Sequence, residues 1–244
     1  SLQLGPEAYS KPSAALVVLR EQVMGPELFD AAFKEYARRW AFKHPKPADF
    51  FRTMEDASAV DLDWFWKGWF FTTDNVDVEV ADVKWLKIKG ENKSMEGNVT
   101  AQTGNLGEGG SQSADNPFYG QPQEIELKDT QVRGEYRGEI NNEEIKQRFA
   151  GKNVYQMTFK NNGGLVTPII LEWTYKDGSK EIEKIPAEIW RKSEKEVTKL
   201  FVKDKEVDSV VFDPFKQLAD VNTDNNVFPQ PNQRDSRFDK FKKN

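Results

Sequence analysis

The chain has 244 residues, no cysteine and one histidine, His44. The lack of cysteine excludes disulfides, thiolate metal sites and a thiol nucleophile, and leaves the compartment open. One imidazole excludes, within this sequence, an HExxH zinc motif and any site that needs two histidines. His44 lies in Lys43-His44-Pro45-Lys46-Pro47, which reads as a surface turn between helices. No run approaches the roughly 18 apolar residues of a membrane span. There is no Gly-rich phosphate loop and no Gly-x-Ser-x-Gly elbow. Residues 1–20 lack the pattern of a signal peptide. The abrupt opening, Ser1 to Pro6, is expected to be a cloning boundary, with Ser1 a tag remnant. No excess of positive charge exists either. Lys and Arg total 35 against 40 Asp and Glu, a formal charge of -5, which argues against a broad nucleic-acid surface.

What the chain does have is aromatic surface. Trp64 to Phe71 reads Trp-Phe-Trp-Lys-Gly-Trp-Phe-Phe, six aromatics in eight positions. On a helix, Leu62, Phe65, Trp66, Trp69 and Phe70 fan across one broad face, while Trp64 and Phe71 point the other way. A helix apolar nearly all round has to be covered nearly all round. The flanking segments supply little cover, so this chain is expected to be one part of something larger. Core packing is the expected role of these rings, rather than a carbohydrate-stacking platform.

Residues 10–74 read as four helices. The first spans 11–24, with Ala15, Leu16, Leu19 and Val23 inward. Gly25 stops it and Pro26 starts the next. The second spans 26–42 and carries Phe29, Phe33, Tyr36 and Trp40 at helical spacing. The third spans 47–58, with Phe50, Phe51 and Met54 inward. The aromatic fourth spans 62–72 with Asp61 as its N-cap. At Thr72-Thr73-Asp74 the period changes to two. Val76, Val78 and Val80 alternate with acidic residues, and a phase slip before Leu86 and Ile88 predicts a bulge or turn. Residues 90–123 have no periodicity and read as a long loop or disordered insertion. Asn141 to Ala150 reads as a short helix. Strands are expected at 154–159, 169–175, 182–190, 197–202 and 207–212, with a hairpin turn at Lys176-Asp177-Gly178-Ser179. The fold expected is α+β: a helical subdomain over 1–74, an antiparallel β-sandwich over 75–228, and a polar tail over 229–244.

Asp220-Val-Asn222-Thr-Asp224-Asn-Asn226 superficially resembles the start of a calcium loop. Its sixth position is Asn225 rather than Gly and its twelfth is Pro231 rather than Glu, so a turn is expected there. Asn92-Lys-Ser94 and Asn98-Val-Thr100 fit the glycosylation pattern, which short sequences meet by chance.

Two features remain. Tyr9-Ser10-Lys11-Pro12-Ser13 stands at the mouth of the first helix. The order of parts is helices, an aromatic helix containing Asp61-Leu62-Asp63-Trp64-Phe65 and Trp69, then strands carrying Asn162-Gly163-Gly164-Leu165-Val166-Thr167-Pro168-Ile169. Together they resemble the C-terminal portion of aminopeptidase N-type zinc metallopeptidases, the gluzincin aminopeptidases. The resemblance covers roughly residues 7–228 and is specific mainly at 9–77 and 159–190. It implies that the helices end a thermolysin-like catalytic domain, and that Tyr9 matches the family's catalytic tyrosine. That hydroxyl stabilises the oxyanion formed at the scissile carbonyl. Pro12 stands where the family usually has Gly.

The family's zinc ligands, its general-base Glu and its substrate-amine Glu would lie upstream. The resemblance therefore implies no cofactor held by this chain, zinc in the parent protein, and no hydrolysis by the chain alone. It implies a peptide substrate for the parent and docking of the upstream catalytic half on the helical subdomain. A periplasmic or secreted parent is compatible with the sequence. Two other readings stand beside this one: a non-catalytic β-sandwich interaction module with a helical support, and a naturally inactive paralogue.

Overall fold

A computed structural model of the chain describes residues 5–88, 122–125, 149 and 151–230. Of the loop expected over 90–123, residues 90–121 lie outside this range and Gln123 begins a short strand; both glycosylation patterns, most of the helix expected at 141–150 and the tail from 231 also lie outside it.

The chain is α+β. Among the described residues four α-helices come first: α1 (Lys11–Val18), α2 (Pro26–Trp40), α3 (Pro47–Ser58) and α4 (Asp63–Phe71). Proline occupies the first turn of α1, α2 and α3, where its missing N–H costs nothing. Wide π-type turns flank α1 at Pro6–Ser10 and Leu19–Met24. The second turn slips the helical phase, so Ala15, Val18 and Leu19 are buried while Leu16 and Val23 sit at the core's margin. In α2 only Phe29 and Ala32 are buried. Phe33 is exposed, stacked on Phe29 and edge-on to Phe50, so the inward stripe is narrower than the spacing predicts.

Helix α4 starts one residue later than Asp61 as its N-cap would require. Leu62 occupies that position, its N–H donating to Glu55 Oε1 at 2.9 Å, while Asp61 Oδ1 accepts from the Asp63 N–H. Phe65, Trp66 and Trp69 are buried. Trp66 stacks on Phe51 with centroids 4.6 Å apart. The two residues expected on the far side part company. Phe71 is 71% exposed, whereas Trp64 is half-buried and edge-on to Phe65.

Among the described residues eight strands follow: β1 (Val78–Ile88), β2 (Gln123–Ile125), β3 (Asn153–Asn161), β4 (Ile169–Tyr175), β5 (Lys180–Ile185), β6 (Glu196–Lys203), β7 (Val207–Phe212) and β8 (Val227–Phe228). They form two four-stranded sheets, ordered β2-β1-β3-β6 and β5-β4-β7-β8. Pairing is antiparallel except for the short edge β2, which runs parallel to β1. The register of β1 shifts between Val80 and Asp82, earlier than the slip expected before Leu86, and its pairing with β3 is unbroken from Asp82 to Leu86. The strand expected over 182–190 stops at Ile185. Pro186 has no N–H to give the ladder, and Ala187–Lys192 forms a 3₁₀ turn instead. There Trp190 is buried and donates its indole N–H to the Thr167 carbonyl at 2.9 Å.

Aromatic rings from the two sheets meet. Trp173 on β4 lies 6.1 Å from Tyr155 on β3 and 5.1 Å from Phe201 on β6. One continuous hydrophobic cluster runs from Leu19, Phe65 and Trp69 through Val76 and Leu165 to Trp173. The link between α4 and β1 is clamped by the turn after β3. Asn75 donates to the Gly163 carbonyl, Leu165 donates to that of Asn75, and Asn162 donates to that of Asp77, all within 3.1 Å. Gly163 permits this approach, because a Cβ there would sit 2.3 Å from the Asn75 carbonyl oxygen.

Candidate functional site

Tyr9 sits in the wide turn Pro6–Ser10, immediately before α1. It is 76% exposed, and its hydroxyl has no hydrogen-bond partner among the described residues. Two residues later the chain is fixed. The Lys11 ammonium donates to the carbonyls of Thr72, at 2.9 Å, and Asp74, at 3.1 Å, at the C-terminal end of α4. A helix C-terminus carries partial negative charge and unpaired carbonyls, so a cation there is favoured. Thr72 is held in turn, its hydroxyl donating to the Gly68 carbonyl at 2.8 Å and accepting from the Asp74 N–H. Tyr9 is thus a free phenol next to an anchored point of backbone. Spacing alone does not single out Lys11, because its partners lie more than 60 residues away.

His44 lies on the exposed turn between α2 and α3, as the sequence predicts. Among the described residues no three His, Asp or Glu side chains gather where they could hold a metal ion. The donor set for the zinc implied by the resemblance is therefore not formed by these residues, and no step is derived through it. Nor is any described helix long and apolar enough to cross a membrane.

The segment resembling a calcium loop folds as a turn. Asp220 accepts from the N–H groups of Val78, at 3.1 Å, and Asn222, at 2.8 Å, and Thr223–Asn225 makes a short 3₁₀ turn. Burial pushes the Asp220 carboxyl upward, against the lowering effect of those two N–H bonds. Beyond it, β8 adds to β7 after the last strand the sequence predicts.

A cleft of about 410 Å³ opens where α4 meets the 3₁₀ turn, lined by Asp61, Trp64, Val166, Glu188, Trp190 and Arg191 among others. Trp64 therefore faces the β part of the molecule. A second polar cluster ties the two sheets at their edges. Lys203 on β6, 7% exposed, donates to Glu181 at 3.0 Å and Glu183 at 2.8 Å, both on β5. It also lies 4.6 Å from the Trp173 ring centre. The Tyr175 hydroxyl bonds Glu181, and the Trp173 indole donates to Glu183 at 3.1 Å. Every member is satisfied, which marks this cluster as a fastening rather than a reaction centre.

No protein-family model matches the chain, and no curated protein matches it.

Proposed function

We propose that this chain is the C-terminal portion of an aminopeptidase N-type zinc metallopeptidase. In this reading the four helices end a thermolysin-like catalytic domain and the two sheets form a β-sandwich that braces it. The parent removes N-terminal residues from peptides. Its zinc ligands, general base and amine-binding Glu belong to the upstream half, and Tyr9 comes from this chain. The observation that carries the reading is the pairing of a free, exposed phenol at Tyr9 with an anchor at Lys11. A donor that stabilises charge developing on a substrate carbonyl needs a fixed backbone and a hydroxyl not already committed elsewhere.

Phe71 supports the same reading. It is exposed at the end of an otherwise covered aromatic helix, 5.9 Å from Phe51, and offers the upstream half an apolar face.

The test is to express the chain together with its upstream coding sequence and assay aminoacyl-anilides with zinc. The expected result is zinc-dependent turnover that Tyr9→Phe lowers about 10²–10³-fold in kcat with little change in KM. The 244-residue chain alone is expected to be silent. Upstream sequence without a zinc motif, or zinc-dependent turnover by the chain alone, would overturn the reading. A silent full-length protein whose residues 76–228 bind a specific ligand would make the sheets a binding module instead.

A further inference from the structure

The turn between α2 and α3 carries an unusual combination of features. Every residue from Ala41 to Ala48 is exposed. Phe42, at the tip, is 107% exposed and makes no ring contact among the described residues. Its φ is +59°, the left-handed region that a bulky side chain avoids. Strain with no internal contact to offset it points outward, to something the turn meets.

Along the turn itself the charge has one sign. From Ala37 to Lys46 the sequence holds Arg38, Arg39, Lys43, His44 and Lys46 and no carboxylate, in a chain whose formal charge is -5. The nearest acids are already engaged. Glu35 pairs with Arg38 and Arg39, Asp56 with Arg39, and Asp49 Oδ2 accepts from the Lys46 N–H. Lys43 donates to the Arg39 carbonyl and lies 5.9 Å from the Trp40 ring, so its charge stays at the turn. The Lys46 and His44 side chains have no ion pair among the described residues.

We propose that this turn is a docking point for an anionic lipid surface. Phe42 enters the headgroup boundary, and Lys43 and Lys46 meet the lipid phosphates and carboxylates. A bilayer interface accepts a lone aromatic ringed by cations without any shape-matched groove. A protein partner would seat such a ring in a pocket of its own and present carboxylates to the lysines. The fully exposed turn favours the lipid. The chain's overall negative charge does not oppose this, because at 0.1 M salt charges farther than about 10 Å from the surface are largely screened. The proposal is independent of the peptidase reading and is tested without turnover.

The experiment is co-sedimentation of the 244-residue chain with phosphatidylcholine vesicles, with and without about 30% phosphatidylserine. Binding is expected only with the anionic lipid and should fall as salt rises. Lys43→Ser and Lys46→Ser should each weaken it about fivefold, the worth of one cation near an anionic leaflet. Phe42→Gly should weaken it about tenfold without lowering the melting temperature, since glycine accepts the positive φ. Phe42→Trp should bind and gain blue-shifted emission. No binding to the anionic vesicles would overturn the proposal. So would binding unchanged by Phe42→Gly. Equal binding to polyglutamate that ignores Phe42 would show a protein-like acidic partner in place of the lipid.

Discussion

The Lys11 ammonium donates to the Thr72 carbonyl at 2.9 Å, joining residues 61 apart in sequence. It secures the start of α1 against the end of α4, and so fixes the backbone that carries Tyr9. Lys11→Met removes two charge-assisted hydrogen bonds and a cation at a helix C-terminus. Some of that loss is recovered because water reaches the freed carbonyls. The expected cost is about 1–2 kcal/mol. That corresponds to a fall in melting temperature of about 2–8 °C for a chain this size, read by calorimetry. Tyr9→Phe, with no partner to lose, should leave the melting temperature within about 1 °C.

Local pattern carried the helices and most of the strands. Proline and glycine punctuation at Gly25-Pro26 and Pro47 stands where α2 and α3 begin. The alternation in Ile169 to Tyr175 is the buried–half-buried alternation of β4. Pro186 was the available signal against a strand over 182–190. The two-residue β8 is too short for periodicity to register, and the parallel pairing of β2 depends on residues far apart in sequence. Tyr9 was legible as a residue, but its anchor was not. Lys203 was equally hidden, because nothing in Val-Lys-Asp-Lys announces two glutamates about 20 residues earlier.

Gly163 tests the clamp between the helices and the sheets. Its missing Cβ would lie 2.3 Å from the Asn75 carbonyl oxygen and 2.7 Å from the Asp77 nitrogen, both main-chain atoms that a rotamer change cannot move. Gly163→Ala should cost about 2–3 kcal/mol. Gly151→Ala is the comparison. Gly151 has φ +73° and open space around it, so only the conformational cost of about 1 kcal/mol is expected. Urea denaturation of both variants separates contact from backbone strain. Equal losses would mean that the close approach to Asn75 is not what requires glycine at 163.

Lys203 holds the sheet edges together electrostatically. Lys203→Met leaves Glu181 and Glu183 facing each other, but they are 48% and 30% exposed and can rehydrate. The loss should therefore be about 2 kcal/mol, below the 3–5 typical of a fully buried pair. The effect is also pH-dependent. The Glu181 carboxyl is held below its ordinary value of 4.5, first by the Tyr175 hydroxyl and then by the Lys203 ammonium. A depressed carboxyl contributes stability that is complete above its unfolded value and is lost as pH falls through the folded one. Stability measured from about pH 6 down to about pH 3 should decline less steeply in Lys203→Met than in the parent chain. A parallel decline would show that Lys203 is not what lowers Glu181.

Tyr155 supplies the opposite limb. It lies between the sheets, and its hydroxyl oxygen accepts the Val207 N–H at 2.9 Å. Burial pushes its phenol from the ordinary 10.0 up to about 12. The folded state therefore keeps this proton where the unfolded chain releases it. Its contribution is whole below pH 10.0 and disappears as pH climbs toward about 12. Tyr155→Phe leaves the buried Val207 N–H without that acceptor and should cost about 1–3 kcal/mol near neutral pH. It should also flatten the alkaline limb without abolishing it, because Tyr175, raised by burial and by Glu181, still titrates there. Guanidinium denaturation at a series of pH values from about 8 to about 11 reads both effects together. An alkaline limb as steep as the parent's would assign the whole of it to Tyr175.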